Sequence, residues 1–190
     1  MYIASASKKG RPADFEKRLK KEQKVYEMLD NLGIEYDYVD HDEAMTIEAC
    51  KDIEKVLGVG ICKNLFLCNR QKTDFYLLLI DGNKRFKTSV VSKIIGTSRL
   101  SFGDADNMLE LFDITPGSLS VFGLMNDTQN RVKLLIDKSV LGSDYFGCHP
   151  CINTSTLKIK TADIIEKCIP FMAHEPMIIE IPEEAENDSQ

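Results

Sequence analysis

The stretch Phe75-Tyr76-Leu77-Leu78-Leu79-Ile80 is almost wholly apolar, which is typical of a strand buried on both faces at the centre of a sheet. A second apolar segment, Ile61 to Cys68, precedes it, and the polar residues 69–73 between the two segments indicate a turn. The sequence therefore predicts two neighbouring strands, and the second of them is expected to be central.

Helical and extended segments surround this pair. Apolar residues at helical spacing predict a helix over residues 14–31, which Gly33 ends, and a half-buried strand over 34–39. Thr46 is expected to cap a helix that runs to Leu57, and Thr161 a helix that runs to Phe171. The remaining predicted elements are short helices over 87–95 and 104–111 and strands over 100–102, 132–136, 146–150, 153–159 and 177–181.

The order of these elements indicates the fold class. Strands and short helices are mixed without a strict βαβα alternation and without repeats. We therefore expect an α+β (mixed α/β) fold, a single compact domain whose mixed, mostly antiparallel sheet is flanked by helices. A flexible lead-in is expected over residues 1–13, the domain itself over 14–182, and a disordered acidic tail over 183–190.

The composition, 43% hydrophobic and 28% charged over 190 residues, is typical of one soluble globular domain. No apolar run is long enough to span a bilayer, and the first residues lack the apolar core of a secretion signal. A cytoplasmic protein without membrane contact is therefore expected. Six cysteines in mostly apolar segments suit reduced, buried thiols.

The net charge of −6 argues against a general nucleic-acid binder, but the charge is unevenly distributed. Residues 1–24 carry eight Lys and Arg and three acids, whereas residues 175–190 carry six acids and no base. The basic N-terminal part either contacts phosphates or forms the solvated face of a helix.

The segment from Thr115 to Asp127 differs from ordinary scaffold because it places small residues between a helix and a strand. Pro116-Gly117 indicates a turn, and glycine lets the backbone approach a ligand closely or adopt a positive φ. Ser118, Ser120 and backbone N–H groups supply donors, while apolar residues such as Phe122 anchor the loop. The loop is either a pocket for a polar group or a tight structural connection.

Four other residues carry possible chemistry. Lys63 begins an apolar strand, where it either faces solvent at an edge or holds a phosphate or carboxylate in a cavity. His149 is either a pocket wall or general base, or a satisfied structural histidine. Cys148 and Cys151 have the C-x-x-C spacing of a redox dithiol or half a zinc site. The residues after this pair favour a strand, and no second such pair is present, so we expect no metal and no cofactor.

Four motifs, taken in chain order, resemble the YbaK/prolyl-tRNA synthetase editing-domain family. They are residues 41–46, Lys63-Asn64-Leu65-Phe66-Leu67, Thr115 to Leu124, and His149-Pro150 with Asn153-Thr154. The similarity covers roughly residues 20–180 and is greatest to the free-standing ProXp-ala (PrdX) type.

This resemblance implies a trans-editing aminoacyl-tRNA deacylase that hydrolyses the ester of mischarged proline tRNA, foremost Ala-tRNA(Pro), without a cofactor. It implies that Lys63 contacts the acceptor end of the tRNA, and that the loop beginning at Gly117 offers N–H groups to the ester carbonyl. The other residues expected to bind substrate are Ser118, Leu119, Ser120, Val121, Phe122, Gly123, His149 and Thr46. The expected partners are the tRNA acceptor end, with help from residues 8–24, and prolyl-tRNA synthetase; the protein is expected to be a monomer.

One position departs from the family pattern: Val121 stands where the family's Gly-x-x-x-Pro loop has proline. A less rigid loop and an altered pocket size are expected from it. Two alternatives remain open. One is a non-catalytic module of the same fold that binds tRNA or a synthetase, against which the intact Lys63 and Gly117 weigh. The other is a dithiol oxidoreductase built on Cys148 and Cys151.

Overall fold

The computed structural model describes residues 1–44 and 47–183. The strands in these ranges are β1 (Lys8–Lys9), β2 (Tyr36–Asp40), β3 (Lys63–Asn69), β4 (Phe75–Ile80), β5 (Leu100–Phe102), β6 (Val132–Asp137), β7 (Tyr145–Cys148), β8 (Ser155–Lys160) and β9 (Pro176–Ile179). The helices are α1 (Lys20–Asn31), α2 (Ile47–Leu57), α3 (Thr88–Ile94), α4 (Ala105–Phe112), α5 (Lys138–Leu141), α6 (Thr161–Asp163) and α7 (Ile169–Phe171), with a π-helical turn, Ile164–Cys168, joining the last two. Short 3₁₀ helices cover Phe15–Lys17 and Val121–Asn126.

The strands form two sheets. One has four strands in the order β1-β2-β8-β7, all antiparallel. The other has five strands in the order β5-β3-β4-β6-β9, in which β5, β3 and β4 pair antiparallel while β4–β6 and β6–β9 are parallel. The α+β fold class and the mostly antiparallel pairing predicted from the sequence are confirmed, with the strands divided between two sheets instead of one.

Strand β4 holds the centre of the five-stranded sheet, as its apolar sequence predicts. Its six residues are all buried, and its side chains alternate between two cores. Leu77 and Leu79 belong to the larger core, which lies towards the four-stranded sheet and α1, whereas Leu78 and Ile80 belong to a smaller core with α3 and β9. Because complete burial of each such side chain stabilises the fold by about 1.5–3 kcal/mol, β4 secures both layers at once.

The two sheets meet where the segment before β3 passes β7. Ile61 forms a parallel bridge with Gly147, and the Cys62 amide donates to the Gly147 carbonyl at 2.9 Å. A Cβ atom on Gly147 would lie 2.6 Å from the Gly60 carbonyl oxygen, so only glycine allows the two backbones this approach. The junction fixes the start of β3, and therefore Lys63, relative to the end of β7.

The structure describes the residues of two further local predictions, and two others lie outside the described residues. The lead-in over residues 1–13 is attached to β2, since β1 pairs with it and Ile3 forms a bridge with His41. Thr161 is not the cap of the last helix; it is the first helical residue, and its hydroxyl donates to the Ser143 carbonyl at 2.6 Å. Thr46 lies outside the described residues, as does the acidic tail beyond Glu183.

Candidate active site

A cavity of about 450 Å³ opens beside the sheet junction. Segments far apart in the sequence form its wall: α2, the start of β3, the turn after β4, the end of β5 and the loop after α4. The lining residues are Ala44, Cys50, Lys51, Glu54, Ile61, Cys62, Lys63, Asn64, Leu65, Phe66, Gly82, Asn83, Phe102, Gly103, Met108, Pro116, Gly117, Leu119 and His149. The volume is in the range typical of small-ligand sites.

Lys63 lies in this wall as the first residue of β3, opposite Ile80 of the central strand. Its side chain is half-buried, and its Nζ donates to the Lys84 carbonyl oxygen at 3.1 Å. An ammonium group has three donors, so this single bond orients the group and leaves donors available to a ligand. Of the two alternatives for Lys63, solvent-facing edge or cavity wall, the structure shows the cavity wall.

Gly117 brings the loop after α4 to the opposite part of the wall. Its φ of +92° lies in a region that residues with a Cβ rarely adopt, so glycine is required for this turn. The turn is closed by the Ser118 amide, which donates to the Thr115 carbonyl at 3.1 Å. Within the described residues, the amides of Gly117 and Leu119 have no hydrogen-bond acceptor, although both residues line the cavity.

The rest of the predicted loop lies behind the cavity. Ser118 and Gly123 are buried, and Ser120, Val121 and Phe122 are 0% exposed. The Ser120 hydroxyl accepts from the Phe122 amide at 3.3 Å and caps the 3₁₀ helix, while the Phe122 ring packs in the larger core. These five residues support the loop, and they do not appear in the cavity wall.

His149 follows β7 and lines the cavity from the four-stranded sheet. Its Nδ1 lies 3.0 Å from the Ser155 carbonyl oxygen, which can only accept, so Nδ1 carries the proton and Nε2 has its lone pair free. Burial, together with neighbouring His41, whose ring centroid is 6.1 Å away, lowers the pKa of His149 to about 4, although the hydrogen bond to the Ser155 carbonyl acts in the opposite direction. The ring is therefore neutral at physiological pH and presents an acceptor.

The two cysteines of the C-x-x-C motif have a different environment from His149 between them. Both are free and completely or almost completely buried, Cys151 with a φ of +62°. Burial raises the pKa of Cys148 well above its usual value and that of Cys151 to about 12. Protonated thiols inside a core are poor nucleophiles, so this environment disfavours the dithiol oxidoreductase.

The sequence did not single out several residues of the wall. Cys50, Lys51 and Glu54 lie on one face of α2, a helical spacing that the sequence contains, and the Glu54 carboxylate accepts from the Ile61 amide at 2.8 Å. Asn64 follows Lys63 in the motif, and its amide donates to the Cys62 carbonyl at 3.2 Å. The sequence alone did not indicate Phe102 on β5 as a cavity residue, because its place at the cavity depends on the pairing of β5 with β3.

Comparison with known proteins identifies the family. A family model described as the aminoacyl-tRNA editing domain matches residues 41–167. The chain is 31% identical over 142 residues to the prolyl-tRNA editing protein ProX of Acetoanaerobium sticklandii, covering 75% of this chain and 87% of that protein. It is 26% identical over 170 residues to prolyl-tRNA synthetase associated domain-containing protein 1 of Danio rerio, covering 88% of both chains.

A solved structure described as a candidate trans-editing enzyme for prolyl-tRNA synthetase superposes with a TM-score of 0.64. The superposition covers 88% of this chain and 99% of that one at 13% identity, so it shows the shared fold. Together with the family match, these relatives show that the chain belongs to the aminoacyl-tRNA editing-domain family that its motifs resemble. The protein is accordingly an enzyme of the aminoacyl-tRNA hydrolase class.

Proposed function

We propose that the protein is a trans-editing deacylase that removes alanine from mischarged proline tRNA. The observation that carries the proposal is the cavity itself, whose wall brings together Lys63, His149, Gly117 and Leu119. The likeness to ProX, a protein named for prolyl-tRNA editing, supports proline tRNA as the substrate. Residues 14–182 would form the editing unit, acting as a monomer in the cytoplasm and alongside prolyl-tRNA synthetase.

The reaction is hydrolysis of an activated ester, which requires a positioned water and donors for the developing oxyanion. The water attacks the ester carbonyl carbon and gives up a proton to the solvent, while the carbonyl oxygen becomes negatively charged. The tetrahedral intermediate then reforms the carbonyl and breaks its bond to the ribose oxygen, which takes a proton from the solvent, so that free alanine and the tRNA with its terminal hydroxyl are released. The Gly117 and Leu119 amides are the proposed donors, because the Ser118 amide between them is already bound to Thr115. One such donor contributes about 100- to 1000-fold to a rate.

Lys63 supplies the positive charge of the site. Its Nζ is held at the Lys84 carbonyl, and its other two N–H groups are available to the terminal phosphate or the ribose of the acceptor end. This role positions the ester against the loop amides, and it accounts for a lysine at the start of an otherwise apolar strand.

In this proposal His149 orients the attacking water or the terminal ribose hydroxyl, and it does not take the proton that the water loses. With a pKa near 4, its ring is a weak base at neutral pH. Its free Nε2 accepts a hydrogen bond from the attacking water or from the terminal ribose hydroxyl, which fixes the direction of approach. Thr46, the remaining predicted binding residue, stays a prediction.

Selection of alanine is proposed to depend on the size of the part of the cavity that holds the acyl group. A synthetase site built for proline also admits the smaller alanine, so a second, smaller site must remove it. Phe66, Met108 and Leu119 are the apolar residues placed to limit the acyl group here, since Phe122 lies in the core behind the loop. Proline would be excluded by its larger ring.

The test is deacylation of proline tRNA charged in parallel with alanine, cysteine, serine and proline. We expect rapid loss of alanine alone, and a fall in kcat/KM of about 100-fold or more in Lys63→Ala, because a charged contact to the substrate is lost. Lys133→Ala is the matched control, since Lys133 is also a strand lysine and lies outside the cavity wall.

Each other outcome has a definite meaning. Faster loss of cysteine than of alanine would contradict the proposed specificity and indicate a YbaK-like preference. No cleavage of any ester above background would overturn the deacylase and favour the non-catalytic tRNA-binding module. Equal activity of Lys63→Ala and the wild type would remove Lys63 from the mechanism.

A further inference from the structure

Residues 82–103 are strongly basic in an acidic protein. Between Asp81 and Asp104 the chain carries five bases and no acid, whereas its overall net charge is −6. We call residues 82–103 the basic segment; it comprises the turn after β4, α3 and β5. The five bases are Lys84, Arg85, Lys87, Lys93 and Arg99.

Both ends of the basic segment reach the cavity. Gly82 and Asn83 at its start and Phe102 and Gly103 at its end line the cavity wall. The backbone of the segment also accepts the hydrogen bond from Lys63, through the Lys84 carbonyl. A ligand that leaves the cavity on this side therefore passes directly over the segment.

Three of the five bases are available to a partner. Arg85, Lys93 and Arg99 are exposed, and they have no ion pair within residues 1–44 and 47–183. Lys84, in contrast, is bound to buried Asp137 at 2.8 Å. Exposed cations without acidic neighbours attract phosphates, because no internal salt bridge has to break first.

Residues 8–24 were expected to help bind tRNA, but the two arginines of this segment form ion pairs within the protein. Arg11 pairs with Asp30 at 2.6 Å. Arg18 donates to both carboxylate oxygens of Asp40 at 2.8 Å and to Glu22 at 2.7 Å. These contacts attach the region around α1 to β2, so its arginines serve the fold.

Phe102 adds an aromatic surface at the cavity mouth. It is 61% exposed, although Leu100 on the same strand and Leu67, its partner on β3, are buried. The Phe86 ring lies 6.1 Å from the Phe102 ring at 83°, and so supports it edge to face within the same segment. An exposed ring held beside a cavity that takes the end of an RNA strand is suited to stack on a base.

We propose that the basic segment is the docking surface for the acceptor arm of the tRNA. The terminal base stacks on Phe102 while its ester enters the cavity, and Arg85, Lys93 and Arg99 contact phosphates of the strand that leads away. This assignment rests on the proposed function, because it takes the RNA end in the cavity as its starting point. It explains how an acidic protein binds a polyanion with a local surface.

The charge part is tested by binding of unacylated proline tRNA at several salt concentrations. The variant is Arg85→Gln/Lys93→Gln/Arg99→Gln, and the matched control is Lys9→Gln/Lys17→Gln/Lys24→Gln, three exposed N-terminal lysines outside the cavity. We expect the slope of log Kd against log salt to decrease by about 2 in the first variant and to change little in the control. An unchanged slope in the first variant, or an equal decrease in both, would overturn the proposal.

The stacking part is tested with 2-aminopurine in place of the terminal adenine. Its fluorescence should be quenched on binding to the wild type and to Phe102→Tyr, and much less on binding to Phe102→Leu. Phe171→Leu is the control, since Phe171 is 55% exposed on α7 and lies away from the cavity. We expect Phe102→Leu to raise KM for the alanyl-tRNA roughly 5- to 100-fold with kcat little changed. Equal quenching in Phe102→Leu and the wild type would refute the stacking of the terminal base on Phe102.

These measurements separate the two proposals. Binding and quenching use unacylated tRNA, so they report on the docking surface even if no ester is hydrolysed. Hydrolysis by the wild type together with unaltered binding in both basic-segment variants would leave the deacylase standing and remove the docking surface.

Discussion

At the scale of single residues, the site depends on groups whose state is set by their surroundings. Gly117 takes a φ that only glycine adopts easily, and the turn it forms places Gly117 and Leu119 in the cavity wall. Burial lowers the pKa of His149 and keeps its ring neutral, against the opposing effect of the hydrogen bond to the Ser155 carbonyl, and that hydrogen bond fixes the tautomer. A neutral acceptor and two free amides suit a reaction whose charge develops only in the transition state.

The lowered pKa of His149 predicts a pH dependence of stability. The unfolded chain binds a proton at this histidine below pH 6.5, whereas the folded protein does so only near pH 4. The free energy of unfolding should therefore decrease as the pH falls from 6.5 to 4, by at most about 3 kcal/mol from this residue. Urea unfolding across this range measures it.

The comparison for that measurement is His149→Asn, whose amide can still donate to the Ser155 carbonyl but does not titrate. We expect its unfolding free energy to fall less steeply with acid than that of the wild type. The carboxylates are present in both proteins, so parallel curves would contradict the assignment of the effect to His149.

At the scale of elements, the loop after α4 changes character at Ser120. Before it, the chain lines the cavity; after it, the 3₁₀ helix Val121–Asn126 buries its apolar side chains in the larger core. Ser120 is extended, with φ −145° and ψ 151°, and its hydroxyl caps the helix. The helix therefore anchors the loop, and Val121 is its first residue.

This geometry predicts that Val121→Pro is tolerated, although valine replaces the family's proline here. Proline is favoured at the first position of a helix, and an extended residue before it is the conformation that proline requires. We expect the free energy of unfolding to change by less than about 1 kcal/mol. Deacylation of alanyl-tRNA should stay within about twofold of the wild type, since residue 121 is not in the cavity wall.

Gly123→Pro provides the contrast in the same helix. It removes the Gly123 amide, which donates to the Ser120 carbonyl at 3.0 Å, and should cost about 3 kcal/mol or more. A loss of stability of that size in Val121→Pro would show that position 121 does not tolerate proline.

At the scale of the whole molecule, the cavity is a product of the junction between the two sheets. Lys63 comes from the five-stranded sheet and His149 from the end of the four-stranded sheet, and Gly147 holds the two sheets together.

Within residues 1–44 and 47–183, no helix combines the length and apolarity needed to cross a membrane.

Gly147→Ala is therefore expected to impair stability and activity together. The new methyl group would meet the Gly60 carbonyl oxygen at 2.6 Å, and a backbone neighbour cannot move aside without shifting the junction. We expect a loss of about 1–3 kcal/mol in unfolding free energy and a lower kcat/KM, because Cys62, beside Lys63, is bound to Gly147.

The control is Gly142→Ala, where the nearest atom to the added Cβ, the Ser139 carbonyl oxygen, is 3.6 Å away in ordinary contact. The stability of the two variants is compared by urea unfolding and their activity by deacylation of alanyl-tRNA. Equal stability of the two variants would show that the junction yields more easily than its geometry indicates.

The sequence by itself determined the fold class, the motifs and most of the strands, but it did not predict β1 or α5. The central position of β4 follows from its unbroken apolar run, and the turn at Gly117 follows from its Pro-Gly pair. Both features depend on residues that are neighbours in the sequence, so a local pattern is enough to predict them. Lys63 and His149 were found for the same reason, as polar residues in apolar or rigid surroundings.

Only the tertiary structure decided how these parts meet. The two sheets meet at the contact of Gly147 with Ile61, and the wall of the cavity combines segments that lie far apart in the chain. Whether an arginine is free also depends on distant partners: Arg18 finds Asp40, whereas Arg85 and Arg99 find no acid in the described chain. Ion pairing and side-chain direction are long-range properties, so no local pattern separates a basic surface that binds RNA from one that holds the fold together.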